Sequence, residues 1–166
     1  MRQPIEFRWS AQRLGWLASL ITLIGLGGLA LLGQEDWTVK ALGLAWAAAF
    51  GYGAYALNRR RAIRTPVVIV SQAGLHDTRI SGAPLPWSAI SRIEKFEVEH
   101  MTYVGLHLRD DAALATLKRG ARVGARLNSA IRLPPVSISM APLDGGDDDL
   151  LAAIAVFRPE LVAEAG

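Results

Sequence analysis

Cysteine is absent from this 166-residue chain, and histidine occurs only three times. Without cysteine there can be no disulfide bond, no thiol nucleophile and no metal site with thiolate ligands. The histidines, His76, His100 and His107, have no second histidine or acidic residue at the usual spacing of metal ligands. We therefore expect solvated histidines and no bound metal, and the alternative is a catalytic or metal-binding role for them.

Motifs for catalysis and for nucleotide binding are missing as well. The sequence has no glycine-rich phosphate loop, no dinucleotide fingerprint and no pair of acidic residues within a catalytic motif. Ser88 has no neighbouring base that the sequence identifies. We therefore expect a protein that is not an enzyme and that needs no cofactor.

Charged residues are scarce in the apolar first third of the chain, and their signs are unevenly distributed. Residues 1–64 carry eight Lys and Arg against three Asp and Glu, whereas residues 65–166 carry ten against twelve. The excess of positive charge therefore comes from arginines that flank apolar segments. This pattern is not that of a nucleic-acid-binding surface, and no nucleic-acid partner is expected.

Two long apolar segments dominate the first third of the chain. Residues 14–33 contain no charged side chain, and residues 37–57 contain only Lys40. A helix of about 20 residues crosses a bilayer core roughly 30 Å thick. The first segment is longer than the apolar part of a signal peptide, and the second follows at once, which favours a retained span. The sequence thus predicts a transmembrane hairpin over residues 1–64, with the lipid bilayer as a partner.

The arginines predict the orientation of this hairpin. Cytoplasmic flanks of membrane spans are enriched in Lys and Arg. Three arginines precede the first span, and four follow the second: Arg59, Arg60, Arg61 and Arg64. The turn at residues 33–36 carries two acidic residues instead. We expect a multi-pass protein with both termini in the cytoplasm.

Small residues recur along both spans, with Gly25 and Gly28 in the first and Gly43 in the second. Such residues let helix backbones approach closely in lipid. Packing of the two helices on each other is the favoured interpretation, and a homo-oligomer formed through the hairpin is the alternative. Neither span contains Asp, Glu, His or Arg, which argues against transport and favours a simple anchor.

Residues 65–166 change to an alternating pattern typical of half-buried strands. Alternation or β-branched runs predict strands at 67–70, 75–80, 93–100, 103–109 and 136–140. Helical spacing predicts helices over 110–132 and over 150–158, with Asp147 as a candidate N-terminal cap of the second. Gly120 and Gly124 weaken the first of these helices, and the alternative is a break there. The sequence therefore predicts a second, α+β domain over residues 65–166.

The helix predicted over 110–132 is amphipathic. Its apolar side carries Leu117, Ala121, Gly124, Leu127 and Ile131, and its basic side carries Lys118, Arg119, Arg122 and Arg126. Near an anionic bilayer, each such cation contributes roughly 1 kcal/mol to binding. The basic side, together with Arg59–Arg61 and Arg64, is therefore a candidate surface for a membrane or a protein partner. The alternative is an ordinary solvated helix face.

Trp87 is the most prominent aromatic residue of this domain. We predict a structural role for it at a corner of the sheet, and stacking on a ligand is the alternative. The first β-hairpin offers only Arg79 as a cation, so specific phosphoinositide binding is not expected.

The order of these segments resembles a known family. The residues that carry the resemblance follow the two spans: strand 67–70 with Gly74-Leu75, the segment Pro86-Trp87-Ser88-Ala89-Ile90, and Asn128 before a Pro-Val-Ser-Ile-Ser strand and a Leu-Leu helix. In them the chain resembles bacterial membrane-anchored proteins with a pleckstrin-homology-like (PH-like) domain. The resemblance implies two transmembrane helices, a PH-like antiparallel β-barrel with an inserted amphipathic helix and a C-terminal helix, and a place in the bacterial inner membrane.

The resemblance implies almost no chemistry, because one fold serves many functions. We expect a non-enzymatic, membrane-anchored module that mediates protein or membrane-surface interaction at the cytoplasmic face, with an unknown protein partner. The alternative is an accessory or regulatory subunit of a larger inner-membrane complex, which it would join through its glycine-rich hairpin.

Overall fold

The computed structural model of the protein describes residues 2–131 and 133–162. They form two compact units. One is a helical hairpin, Trp9–Arg64, and the other contains the described residues up to Arg8 and from Thr65 onward. The fold is mixed α+β, with two small antiparallel sheets and several helices.

The hairpin consists of helix α1, Ala11–Ala30, a 3₁₀ turn over Leu31–Gly33, and helix α2, Trp37–Arg61. The first backbone amides of α2 have an acceptor, since Asp36 Oδ1 accepts from Thr38 N at 2.7 Å. Hydrogen bonds from the Thr38 side chain and backbone lower the pKa of Asp36. Three arginines in the last turn of α2 complement the helix dipole.

Both segments predicted as spans are helical, but they differ in membrane character. Among the described residues, one helical segment, Ala11–Gly33, is long and apolar enough to cross a membrane. Helix α2 is long enough but less apolar, because Lys40, Tyr52, Tyr55 and Asn58 lie within it. By length and apolar composition, the prediction of two membrane spans is therefore supported for the first span alone.

The first sheet has the order β1–β2–β3, with strands Ile5–Phe7, Val68–Ser71 and Gly74–Asp77 in antiparallel pairs. Strand β1 precedes the hairpin in sequence, yet Phe7 pairs with Val68 beyond it. A boundary at residue 64 would leave this strand with the hairpin. In the structure, β1 belongs to the second domain.

The second sheet has the order β4–β5–β6, with strands Ile90–Val98, Met101–Leu108 and Val136–Ile138. A two-residue turn joins the first two strands, and both of its residues, Glu99 (φ 49°) and His100 (φ 65°), have left-handed backbone. The alternating pattern predicted both long strands within a few residues.

The helix predicted over 110–132 is interrupted. Helix α3 spans Asp111–Ala115 and helix α4 spans Arg119–Ala130. The break results from pairing with a distant segment, because Lys118 N donates to Ile80 O at 2.8 Å and Leu117 forms a bridge with Ser81. Leu117 is buried there, so the chain follows this extended contact instead of continuing the helix.

Helix α5, Asp147–Phe157, packs against both sheets, and the short helix α6, Pro159–Val162, follows it. Gly146 is the N-terminal cap in place of Asp147, and its backbone N donates to Asp149 Oδ2 at 2.7 Å. Leu150 and Ile154 place the apolar side of α5 in the core.

The α+β class is confirmed, and the strands form two separate three-stranded sheets. Within residues 2–131 and 133–162, no hydrogen-bonded ladder joins one sheet to the other. Only isolated bridges, such as Leu75 with Leu85, lie outside the named strands. A closed PH-like barrel is not confirmed by this arrangement.

Candidate membrane- and partner-binding surface

Helix α4 presents three cations to solvent. Arg119, Arg122 and Arg126 are exposed, and within the part of the chain that the structure describes none of them has an acidic partner. Helix α4 itself contains no acidic residue. Arg122 and Arg126 line an open cleft of about 400 Å³ that also includes Ser129 and Leu114. The three arginines are thus available to an anionic ligand.

Beside the arginines runs an exposed apolar ridge, formed by Val123, Leu127 and Ile131. Their exposed fractions are 54%, 63% and 67%. The three residues are four positions apart, so they lie next to one another along the helix surface. The sequence assigned Leu127 and Ile131 to an apolar side, and that side lies in solvent instead of packing on the domain.

Small residues hold α4 against the domain. Ala125 is buried, and Asn128 Nδ2 donates to Ser137 Oγ at 3.3 Å on strand β6. The Asn128 carbonyl accepts from Leu133 N at 2.9 Å, which fixes the end of the helix. Helix α4 therefore packs on the domain through the side that carries Ala125 and Asn128, and its large apolar side chains point away from the core.

Lys118 differs from the other members of the predicted basic side. Its Nζ donates to Thr78 O, and its backbone N bonds the chain at Ile80. Lys118 thus connects α4 to the segment that follows β3. Arg119, Arg122 and Arg126 are the exposed cations that the structure brings together on this helix, and none of them has an acidic partner among the residues that it describes.

The second predicted group of cations lies at the end of α2. The Arg60 guanidinium is 5.4 Å from the centre of the Trp9 ring, and Arg61 Nη1 donates to Asn58 Oδ1 at 3.0 Å. Arg59 and Arg64 are exposed. Cation–aromatic pairs of this kind suit the membrane interface, where an indole ring and an arginine are both stable.

Trp87 lies in a 3₁₀ turn, Trp87–Ala89, at the start of β4. Its side chain is buried, and its Nε1 donates to Ser71 O at 2.9 Å. A ligand would find no open face of this indole on which to stack. The geometry is that of a residue that joins the β2 end to the second sheet.

A buried ion pair that sequence reasoning missed occupies the first hairpin. Arg79 Nη2 lies 2.6 Å from Asp77 Oδ2, and Arg79 Nη1 also donates to Ser139 O at 3.1 Å. The Asp77 side chain is 3% exposed. The alternation Leu75, Asp77 places Asp77 on the buried side of β3, which was the available signal. Arg79 therefore has a structural role, because its guanidinium group is bound to Asp77 and Ser139.

The histidines lie apart from one another. His107 Nε2 lies 3.0 Å from Glu94 Oε1, without the angle of a hydrogen bond, and His100 is fully exposed in its turn. Among the described residues, no group of three or more His, Asp and Glu side chains could hold a metal ion.

The start of α5 carries the clearest electrostatic perturbation of the domain. Lys95 Nζ lies 2.6 Å from Asp148 Oδ1, and this hydrogen bond raises the pKa of Lys95. Burial raises the pKa of Asp147, whose Oδ1 is buried without a hydrogen-bond partner. The Lys95–Asp148 bond thus holds the start of α5 against β4, whereas the buried Asp147 carboxylate disfavours it.

Glycines lie at the contact between α1 and α2. A methyl group on Gly28 would lie 2.7 Å from Trp46 Cδ1 and 2.8 Å from Gly43 O, so the backbones touch there. Trp46 Nε1 donates to Ile24 O at 3.1 Å across the same contact. A methyl group on Gly27 or Gly51, in contrast, would have nothing within 4 Å of it among the described residues.

Comparison with known proteins leaves the function to be argued from these surfaces. No protein-family model, curated protein or solved structure matches the chain.

Proposed function

We propose that this protein is a non-enzymatic module anchored in the bacterial inner membrane, whose α+β domain mediates protein or membrane-surface interaction at the cytoplasmic face. The observation that carries the proposal is an apolar helix, Ala11–Gly33, joined by short linkers to a domain with three exposed arginines that have no acidic partner among the described residues. The hairpin anchors the domain, and α4 provides its interaction surface.

The outward side chains of the hairpin suit a lipid environment. Trp16, Leu20 and Leu23 on α1 and Leu42 and Leu44 on α2 are exposed. Water would solvate such a surface poorly, whereas acyl chains match it.

The pairing of β1 with β2 supports α2 as a second span. Val67 N donates to Phe7 O at 2.8 Å, so the residues on either side of the hairpin share one sheet. If α1 crosses the membrane, the chain has to return before Val68 for this pairing to form. At about 1.5 Å per residue, the 25 residues of α2 are long enough for the return.

The basic flanks then give the orientation. Arg59, Arg60 and Arg61 end α2, and the turn between the helices carries Glu35 and Asp36. The positive-inside tendency favours both termini, and hence the α+β domain, on the cytoplasmic side. The observed order, two antiparallel sheets followed by a C-terminal helix, is compatible with a PH-like domain, the fold of the family that the sequence resembles.

Cysteine accessibility tests the anchor and its orientation, since the chain has no cysteine of its own. Two glutamines in turns provide matched positions: Gln34→Cys in the helix–helix turn and Gln72→Cys in the β2–β3 turn. In intact spheroplasts, a membrane-impermeant maleimide should label the first variant and reach the second only after lysis. Labelling of the Gln72→Cys variant in intact spheroplasts would contradict the proposal.

The alternative function, an accessory subunit that joins a larger complex through its hairpin, is favoured by one observation. A methyl group on Gly27 or Gly51 would meet no atom within 4 Å among the described residues, so both glycines leave space for another helix. Gentle pull-down of the full chain should distinguish the two functions. Loss of partners in an Arg119→Glu, Arg122→Glu, Arg126→Glu variant supports the domain as the interaction surface, and loss in a Gly27→Leu, Gly51→Leu variant supports the hairpin.

A further inference from the structure

We propose that helix α4 lies in the headgroup layer of an anionic bilayer, with Val123, Leu127 and Ile131 inserted among the lipids. Arg119, Arg122 and Arg126 bind lipid phosphates beside them. This inference deepens the proposed function and rests on it, because the anchor brings the domain to the membrane.

The shape of α4 is that of an interfacial helix. Each residue of the ridge is more than half exposed, although Leu and Ile of this size are usually buried in a domain. The arginines Arg119, Arg122 and Arg126 occupy the adjoining strip of the same solvent side. A helix with a large apolar strip beside a basic strip binds in the plane of an anionic interface.

The charges favour lipid over a protein groove. Three guanidinium groups without acidic partners in the described part of the chain are complementary to anions that lie alongside an apolar phase. An anionic bilayer supplies both at once, since its phosphates accept paired hydrogen bonds from arginine and its acyl chains accept the ridge. A protein partner would have to supply an apolar groove with acidic edges.

The connections to the hairpin limit how far the domain can move from the membrane. Three residues, 8–10, join β1 to α1, and six residues, 62–67, join α2 to β2. At about 3.5 Å per residue, these linkers extend to roughly 10 Å and 20 Å. A tether this short keeps the surface at high effective concentration near the lipid.

Helix α4 is also preorganised. Ala125 is buried against the domain and Asn128 is hydrogen-bonded to Ser137, so the ridge is displayed without bound lipid. Binding therefore requires no folding of the helix, which removes an ordering cost that a disordered segment would have.

The test uses the full chain reconstituted in vesicles. Leu127→Cys gives the cysteine-free chain one site for an environment-sensitive fluorophore, and Val156→Cys, an exposed apolar residue on α5, is the matched control. The vesicles contain phosphatidylcholine alone or phosphatidylcholine with roughly one third phosphatidylglycerol. We expect a blue shift and protection from a soluble quencher for the label at 127 in the anionic vesicles only. The control label should report water in both.

Charge variants test the arginines in the same labelled chain. Each arginine near an anionic surface strengthens binding by about fivefold, so Arg119→Glu, Arg122→Glu, Arg126→Glu should lower the ratio of inserted to uninserted helix by at least about 100-fold. High salt should act in the same direction. Arg158→Glu, which changes an arginine paired with Glu160 elsewhere on the domain, should leave the label protected.

A label at 127 that remains in water in both kinds of vesicle overturns the inference. Protection that is equal in both, and insensitive to salt and to the charge variant, also overturns it and indicates a second copy of the chain on the ridge. Carbonate extraction separates this result from the proposed function. A chain that stays in the membrane pellet with its label in water refutes only the inference, and a chain that carbonate releases refutes the anchor and the tether with it.

Discussion

Removing either member of the Asp77–Arg79 pair should destabilise the domain, and the two losses should differ. The Asp77 side chain is 3% exposed and that of Arg79 is 25% exposed. Asp77→Ala leaves a guanidinium that water can reach, whereas Arg79→Ala leaves a buried carboxylate without its cation. We therefore expect the arginine variant to be the less stable of the two.

The contacts set the size of both effects. Asp77 accepts from Arg79 Nε at 3.0 and 3.1 Å, from Nη2 at 2.6 Å and from the Arg79 backbone N at 2.8 Å. Breaking a buried pair costs about 3–5 kcal/mol. Because Arg79 is partly solvated, we expect a loss of about 2–3 kcal/mol for Asp77→Ala and about 3–4 kcal/mol for Arg79→Ala. The double variant should lose less than the sum, because it leaves no unpaired charge.

Amide hydrogen exchange of the full chain in detergent micelles measures these losses directly. For peptides covering residues 67–81, a loss of about 2–3 kcal/mol corresponds to roughly 30- to 160-fold faster exchange. Arg92→Ala, which breaks an exposed ion pair with Glu94 at 3.6 Å, should change exchange little. The reasoning would be refuted if the effects of the two substitutions on the free energy of unfolding were additive. It would also be refuted if the Arg79→Ala variant were at least as stable as the Asp77→Ala variant.

Three further substitutions have definite expected outcomes. Burial raises the pKa of Asp147 in the folded state above 3.8, so Asp147→Asn should stabilise the domain at neutral pH. Chemical denaturation at several pH values measures this gain in the free energy of unfolding, which should vanish below pH 3.8. A gain that persists below pH 3.8 would contradict the raised pKa. His100→Gly should raise the free energy of unfolding by about 1 kcal/mol in chemical denaturation, because His100 has a φ of 65°; no gain would mean that the turn relaxes without cost. Gly28→Leu should separate α1 from α2 and increase protease cleavage of the hairpin. Gly27→Leu should not, because a methyl group at Gly27 would meet no described atom within 4 Å. Equal cleavage of the two variants would contradict the close contact at Gly28.

Local patterns were sufficient for elements whose neighbours in space are also near in sequence. The alternation of apolar and polar residues predicted β4 and β5, which pair across a two-residue turn. The spacing of Leu150 and Ile154 and the position of Pro159 predicted α5 and its end. In each case the preference of the segment and its tertiary environment agree.

Two features could not be predicted because distant residues determine them. The three residues of β1 form a strand only because β2, about 60 residues later, offers them an edge. Gly120 and Gly124 indicated a weak point in the predicted helix, but the position of the break depends on Ile80 and Ser81, which pair with Lys118 and Leu117. No local pattern contains this information.

The orientation of α4 shows a third limit of sequence reasoning. Periodicity identified two sides of α4 but did not decide which one the domain would bury. The structure buries the side with Ala125 and leaves Leu127 in solvent. Helix α4 therefore packs closely on the domain through a small residue, and its large apolar side chains are not used for this contact. The arginines next to the ridge were the available sign that this side faces something other than the core.

If the hairpin crosses the membrane twice, as we propose, its place between two paired strands has a consequence for biosynthesis. Strand β1 leaves the ribosome first, but its partner, β2, follows only after both helices have been made. With that topology, the first sheet cannot close until the hairpin is complete and both of its ends are on the same side of the membrane. Folding of the domain therefore reports that insertion has finished, and a chain arrested after one crossing would leave β1 unpaired, open to proteolysis and to quality control.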